Sequence, residues 1–166
     1  MADEVKTKTP LSYETEIYID TTPTGSTPTY AEINKGFTGF NKTNNPTVQT
    51  HQYIGDINAT TNITALGMQF AYSGERVVGD PANDYFAGLD GKIGNDLKTT
   101  IVRVNTWEDG NTATLYNAVV AVASDGDLAG GSTQAISGTV YVNGDPVKGT
   151  WDKSTKNFTP ATPATA

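Results

Sequence analysis

Tyr72-Ser-Gly-Glu75-Arg76-Val-Val-Gly79-Asp80-Pro81-Ala-Asn-Asp-Tyr85-Phe86-Ala-Gly-Leu89-Asp-Gly-Lys-Ile93 is the stretch whose reading decides the fold. Asp80 stands where an N-cap belongs, and Pro81 takes the first helical position, where its missing N–H costs nothing. Ala82, Tyr85, Phe86, Leu89 and Ile93 recur at the spacing of one helical face. The spacing predicts a helix over 81–93, with Tyr85, Phe86, Leu89 and Ile93 packed on a sheet. Glu75, Arg76 and Asp80 are expected to form a local ion-pair cluster at the junction.

On either side of this helix the pattern is that of strands. Before it, residues 62–72 alternate: Leu66, Met68, Phe70 and Tyr72 form an apolar face, and Ala65, Gly67, Gln69 and Ala71 a small polar one. Strands are also expected at 12–19, near 30–33, at 98–107 and at 112–124, the last central because Val119–Ala123 is apolar on both faces. Asn143-Gly144 is the strongest short hairpin signal in the chain and predicts a turn between strands 136–142 and 147–151. Residues 153–158 suit an edge strand. Residues 1–10 read as a flexible arm. The Thr-Pro-Ala tail, 159–166, has the composition of a disordered segment.

Residues 36–60 are polar but carry isolated aromatics, Phe37, Phe40 and Tyr53. Such a segment reads as a loop or an extended hairpin that packs on something outside its own core. Ordering so many backbone residues needs a partner surface to offset the entropy.

Composition narrows the function. The chain has 166 residues, no cysteine, one histidine and a formal net charge of −7. One domain of this length buries a core without staples. A thiolate metal site and a cysteine nucleophile are excluded. The bases are scattered, so no patch is available to displace counterions from nucleic acid. No ordinary signal peptide opens the sequence, and no apolar run reaches the ~20 residues that span a bilayer. A chain made and used in a cytoplasm, or released by lysis, is expected.

Motifs for chemistry are weak. His51 stands among Thr, Gln and Tyr with no Ser or Asp signature, and reads as a polar surface residue. Asp125-Gly-Asp127 lacks the terminal Glu of a calcium loop and reads as a turn. Glu14 and Glu16 could mimic a glycosidase pair but fit an exposed strand face better. Trp107, Tyr116, Tyr141 and Trp151 suit either core packing or the stacking platform of a carbohydrate- or protein-binding β-sandwich. That monomeric binding module is the alternative function.

The ordered features together resemble the major tail (tail tube) proteins of long-tailed, siphovirus-type bacteriophages. They are a polar arm, a long polar insertion, Phe70-Ala-Tyr72-Ser-Gly-Glu-Arg running into Val77-Val-Gly-Asp-Pro-Ala-Asn-Asp-Tyr-Phe86, the strand Thr100-Ile-Val-Arg-Val-Asn-Thr-Trp107, and Tyr141-Val-Asn-Gly-Asp-Pro-Val-Lys-Gly-Thr-Trp151. The resemblance covers most of residues 12–158. It implies a β-sandwich or half-barrel, mainly β with one flanking α-helix, spanning 11–158. Six copies would form a ring whose strands join into a β-barrel, and rings would stack into the conduit for DNA ejection. It implies no reaction, no cofactor, no metal and no membrane. Implied partners are other copies of the chain and tape-measure, tail-terminator and baseplate proteins, in a virion assembled in the host bacterial cytoplasm. DNA would pass without specific binding. On this reading Phe37, Phe40, His51 and Tyr53 are candidates for contacts between subunits or rings. Ala65, Gly67, Gln69 and Ala71 are candidates for the lumen wall.

Overall fold

A computed structural model describes residues 7–126 and 129–162. Residues 1–6 of the expected arm, Asp127, and residues 163–166 of the expected tail lie outside the described residues. The strands are β1 (Thr15–Asp20), β2 (Tyr30–Glu32), β3 (Phe37–His51), β4 (Thr60–Glu75), β5 (Lys98–Asn105), β6 (Thr112–Asp125), β7 (Ala135–Asp152) and β8 (Asn157–Pro160), with the helix α1 (Pro81–Ala87) after β4. They form an eight-stranded antiparallel sheet in the order β2-β1-β5-β6-β7-β4-β3, with β8 on the free side of β7. The protein is mainly β with one α-helix among the described residues. Its sheet is continuous and open, where a sandwich would have two. β6 is central, between β5 and β7.

Both faces of the sheet bury side chains near β1 and β5. Ile19 and Ile101 face the helix, together with Phe70, Tyr72, Tyr116, Val120 and Val140. Their chain neighbours Tyr18 and Val102 face the other way, with Val104, Tyr30 and Trp151. Successive residues of a strand point to opposite faces, so a strand covered on both sides reads as continuously apolar. The Trp151 ring lies 4.6 Å from Tyr18 and 5.3 Å edge-on from Tyr30.

The helix begins where expected. The Asp80 carboxylate accepts from the Asn83 N–H, and Pro81 is the first helical residue. It is, however, seven residues long and ends at Ala87, so the expectation of a helix to Ile93 is corrected. Gly88 and Gly91, the latter at φ 71°, break the run. Phe86 and Leu89 are buried and Tyr85 is partly buried, whereas Ile93 is 84% exposed and packs on nothing. Phe86 meets Tyr72 at 4.6 Å and Phe37 at 5.3 Å between ring centroids.

Two further expectations change. Asn143-Gly144 turns no hairpin: Asn143 pairs with Asn117, and Val147 pairs with Leu115 of the same strand β6, so β7 runs straight through. Gly144, at φ 71°, opens a bulge that loops out 144–146. Pro146, which has no N–H to offer a ladder, sits in that bulge at no cost. Thr159 and Pro160, assigned to a disordered tail, belong to β8 and pair with Thr150 and Gly149. The turn before β8 is held by the Asp152 carboxylate, which accepts from the Ser154 N–H and hydroxyl. These bonds hold its pKa down to about 2.

Truncating Phe86 to Ala is expected to cost about 3–5 kcal/mol in urea denaturation, as for other buried aromatics. Ile93→Ala should stay within about 0.5 kcal/mol of the parent, because Ile93 lies outside the packed face. Equal losses from the two changes would contradict this division of the helix segment.

Candidate functional site

β3 and β4 extend well past the sheet that anchors them. They pair with each other from Phe37↔Gly74 to His51↔Thr60. The third strand, β7, accompanies β4 only from Glu75 to Gln69. Beyond that point, from Asn44↔Met68 outward, the pair is a two-stranded ribbon closed by a turn over residues 52–59. Every residue from Asn41 to Gly67 is exposed. The segment 36–60 is thus mostly strand, an extended hairpin and not a loop. Its Thr- and Asn-rich sequence is compatible with a strand that has no apolar face to bury. A two-stranded hairpin alone is marginally stable in water.

The ribbon also displays apolar side chains. Leu66 is 55% and Ile57 94% exposed, and Val48, Tyr53, Ile54 and Ile63 are likewise in solvent. Leu66 and Met68 were expected on the core side with Phe70 and Tyr72. They share that face, but the core ends beneath them: Phe70 and Tyr72 are buried, Met68 is half-buried and Leu66 is free. At its root the ribbon is well anchored. Phe40 stacks on Phe70 at 5.3 Å, and Lys42 lies 5.6 Å over the Tyr116 ring. Phe37 and Phe40 therefore belong chiefly to the core, whereas His51 and Tyr53 are free at the far end.

The face of β4 opposite Phe70 and Tyr72 is the outer face of four strands in register. Thr43, Gln69, Tyr141 and Val119 form one cross-strand row, and Asn41, Ala71, Thr139 and Ala121 the next. Ser73 and Ser137 continue it. None of these side chains is charged, and β5 continues the first row with the exposed Lys98 beside Val119. Ala65, Gly67 and Ala71 are exposed and Gln69 is half-buried on this side. The members from β6 and β7 were not found from the sequence, because register between distant strands leaves no mark in either one.

The junction between β4 and the helix is tied by hydrogen bonds to one side chain. The buried Asn83 carboxamide donates to the Glu75 carbonyl and accepts from the Val77 N–H and the Arg76 guanidinium. Arg76 also pairs with Asp84 at 2.7 Å. The expected cluster of Glu75, Arg76 and Asp80 is corrected: Arg76 pairs with Asp84, and Asp80 is committed to capping.

The residues considered for catalysis are apart or already paired. His51 ends β3 in solvent. Glu14 binds Lys8 and the Leu11 N–H, which hold its carboxyl below the usual range. Burial pushes Glu16 up, but bonds from Lys153 and the Tyr18 hydroxyl outweigh it and its pKa is lowered. Among the described residues no group of three His, Asp or Glu side chains is placed to hold a metal. No helix there is long and apolar enough to cross a membrane. The four aromatics of the binding-module reading share no surface: Tyr116 and Trp151 lie in different buried clusters, and Tyr141 faces outward.

Removing the Asn83 carboxamide in Asn83→Ala leaves a buried N–H and C=O without partners. The expected cost is about 1–3 kcal/mol by thermal or urea unfolding, with tyrosine and tryptophan fluorescence as the probe. An unchanged midpoint would show that water takes over both bonds.

No family model matches the chain, and no curated protein matches it in sequence. Among solved structures, the fold is similar to a chain in the cryo-EM structure of the anti-feeding prophage (AFP) baseplate, 6-fold symmetrised. The TM-score is 0.54 at 14% identity, over 86% of this chain and 96% of that one. At that identity the likeness is one of fold, and it extends over nearly the whole length of both chains.

Proposed function

We propose that this protein is a structural subunit of a phage-type tail, and that copies of it assemble into rings, six to a ring, stacked as a tube for DNA. The observation that carries this reading is the β3–β4 ribbon. In one copy it is a solvent-exposed two-stranded extension with unpartnered backbone edges and free apolar side chains. Edges of this kind are an aggregation hazard unless another chain covers them. In a closed ring each ribbon is covered by its neighbour, and strands of successive copies complete a barrel that has no edge. The similar fold of a chain in a six-fold symmetrised baseplate supports the reading.

The uncharged rows of β3, β4, β7 and β6 give the tube its inner wall, with Lys98 at their β5 margin. A DNA duplex is held by Lys and Arg that displace its counterions. Rows of Asn, Thr, Gln, Ala and Tyr offer no such grip, so DNA passes without being retained. Tail-terminator, tape-measure and baseplate proteins are the partners this role calls for. Chemistry and a cofactor have no part in it, and the finished protein resides in the virion after assembly in the host cytoplasm.

Two experiments test the reading. Replacing residues 47–65 by Asn-Gly joins Pro46 to Leu66, its cross-strand partner, through a two-residue turn. The product should be a folded monomer with near-parental stability that forms no tubes in electron micrographs of concentrated protein. Tubes of normal appearance would refute the role of the ribbon. For the wall, Gln69→Arg should leave assembly intact and make tubes retain short duplex DNA at low salt. High salt should release the DNA, because the attraction is screened. A tube reconstruction with Gln69 on the outer surface would refute the wall assignment.

A further inference from the structure

The sheet does not close, and the gap is a groove of about 900 Å³ between β1 and β3. β3 is the last strand on its side and offers a free edge, whereas β2 and the Ile33 N–H cover Ile17–Asp20 of β1 and leave free only its first residues, Thr15 and Glu16. The groove is lined by Ile17, Ile33, Phe37 and Phe40, by several Ser, Thr and Asn side chains, and by the two cations Lys42 and Arg103. Arg103 lies directly across the ladder from Ile17. Among the described residues neither cation is in a salt bridge with a carboxylate. Glu16 and Glu32 reach the rim of the groove, but Glu16 is taken by Lys153 and the Tyr18 hydroxyl, on the opposite face of β1. A trough of mixed polar and apolar lining that holds two cations outside these salt bridges, in a chain of net charge −7, fits a segment that carries both apolar side chains and an acid.

The ribbon tip is such a segment. It presents Tyr53, Ile54 and Ile57 in solvent, and Asp56 is the sole acidic residue between Ile33 and Gly74. The tip cannot fold back into the groove of its own molecule. Lys42 and His51, the last paired residue of β3, are nine residues apart along a paired strand, about 30 Å at 3.3 Å per residue, and the tip lies beyond them. Resting on the assembly reading above, we propose that the ribbon tip of one copy seats in the β1–β3 groove of a second copy, with Asp56 between Lys42 and Arg103. The contact is heterologous: each copy offers a tip at one end and a groove at the other, so the pairing repeats head to tail. Successive copies along the ribbon are then offset by roughly 30 Å or more, the reach of the ribbon.

The test is a charge exchange read by sedimentation and electron microscopy. Asp56→Lys should melt like the parent, since the tip is exposed, yet raise the concentration needed for assembly by about tenfold or more, the equivalent of about 1.4 kcal/mol. Arg103→Glu should do the same, and the combination of the two should recover assembly to within about threefold of the parent. Because the chain has no cysteine, Asp56→Cys with Arg103→Cys gives a second readout. Oxidised assemblies should yield a ladder of disulfide-linked multimers on a non-reducing gel, and intramolecular bridging should be absent. Assembly indifferent to both single exchanges, or a double exchange without recovery and no ladder, overturns the pairing while leaving the assembly reading intact. Loss of assembly on removing residues 1–6, which hold Asp3 and Glu4, with Asp56→Lys silent, would assign the groove to the N-terminal segment instead. A parent protein that stays monomeric at every concentration would overturn the assembly reading itself.

Discussion

One buried carboxamide sets the relation between the sheet and everything attached to it. Asn83 holds the last carbonyl of β4, the Val77 amide just beyond it, and the Arg76 guanidinium, while its own N–H is bound by the helix cap Asp80. The same amide lies so near Gly36 that a Cβ there would come within 2.8 Å of it. The link from β2 to β3, the end of β4 and the helix therefore meet at one point. Gly74 makes the meeting closer still, since a Cβ on it would stand 2.0 Å from the Gly36 carbonyl oxygen. With this corner fixed, the helix can only lie over Phe70 and Tyr72, and β3 and β4 can only leave the body as a pair.

That geometry divides β4 into two parts with different physics. Its inner part has a neighbour on each side and a core beneath, and it follows the ordinary alternation of buried and exposed residues. Its outer part has one neighbour and no core, so the alternation of Leu66 and Met68 continues with nothing to receive it. Stability of the outer part is borrowed from whatever packs on it, which is why the same segment carries both the assembly reading and the groove-pairing inference. The faces follow the same logic. Where a second layer exists, as over Tyr18 and Val102, both sides are apolar; where it does not, the outward side holds Thr, Asn, Gln and Ala.

Much of this was legible in the sequence because it rests on local rules. The Asp80-Pro81 start and the alternation over 62–72 each depend on residues a few positions apart, whereas Val119–Ala123 of the central strand β6, expected to be buried on both faces, buries only one, with Val119 and Ala121 on the outer side. The failures share a cause, which is pairing between distant segments. Asn143-Gly144 has the turn chemistry of a hairpin, but β6 is long enough to pair with both flanks and overrides it. Ile93 has helical spacing, but Gly88 and Gly91 end the helix before the spacing can be used. Phe37 and Phe40, three apart, cannot share a face of a regular strand. The extra residue between Phe37↔Gly74 and Gly39↔Ser73 puts both on the helix side, and nothing in the sequence announces that bulge. The candidate wall was half legible for the same reason: β4 shows its small residues, while the rows that complete it come from register with β7 and β6.

The interruption of β7 has a consequence for how such a chain can change length. Between Asn117 and Leu115 β6 has one residue, while between Asn143 and Val147 β7 has three. The surplus is two, and two is the repeat of a strand. Val140 and Trp151 thus keep the faces they would have in an unbroken strand, one under the helix and one against Tyr18. A surplus of one would turn Trp151 and the whole end of β7 inside out. Insertions and deletions at this site are therefore quantised in pairs: the bulge can shrink or grow by two residues and leave the second core intact, but an odd step inverts it.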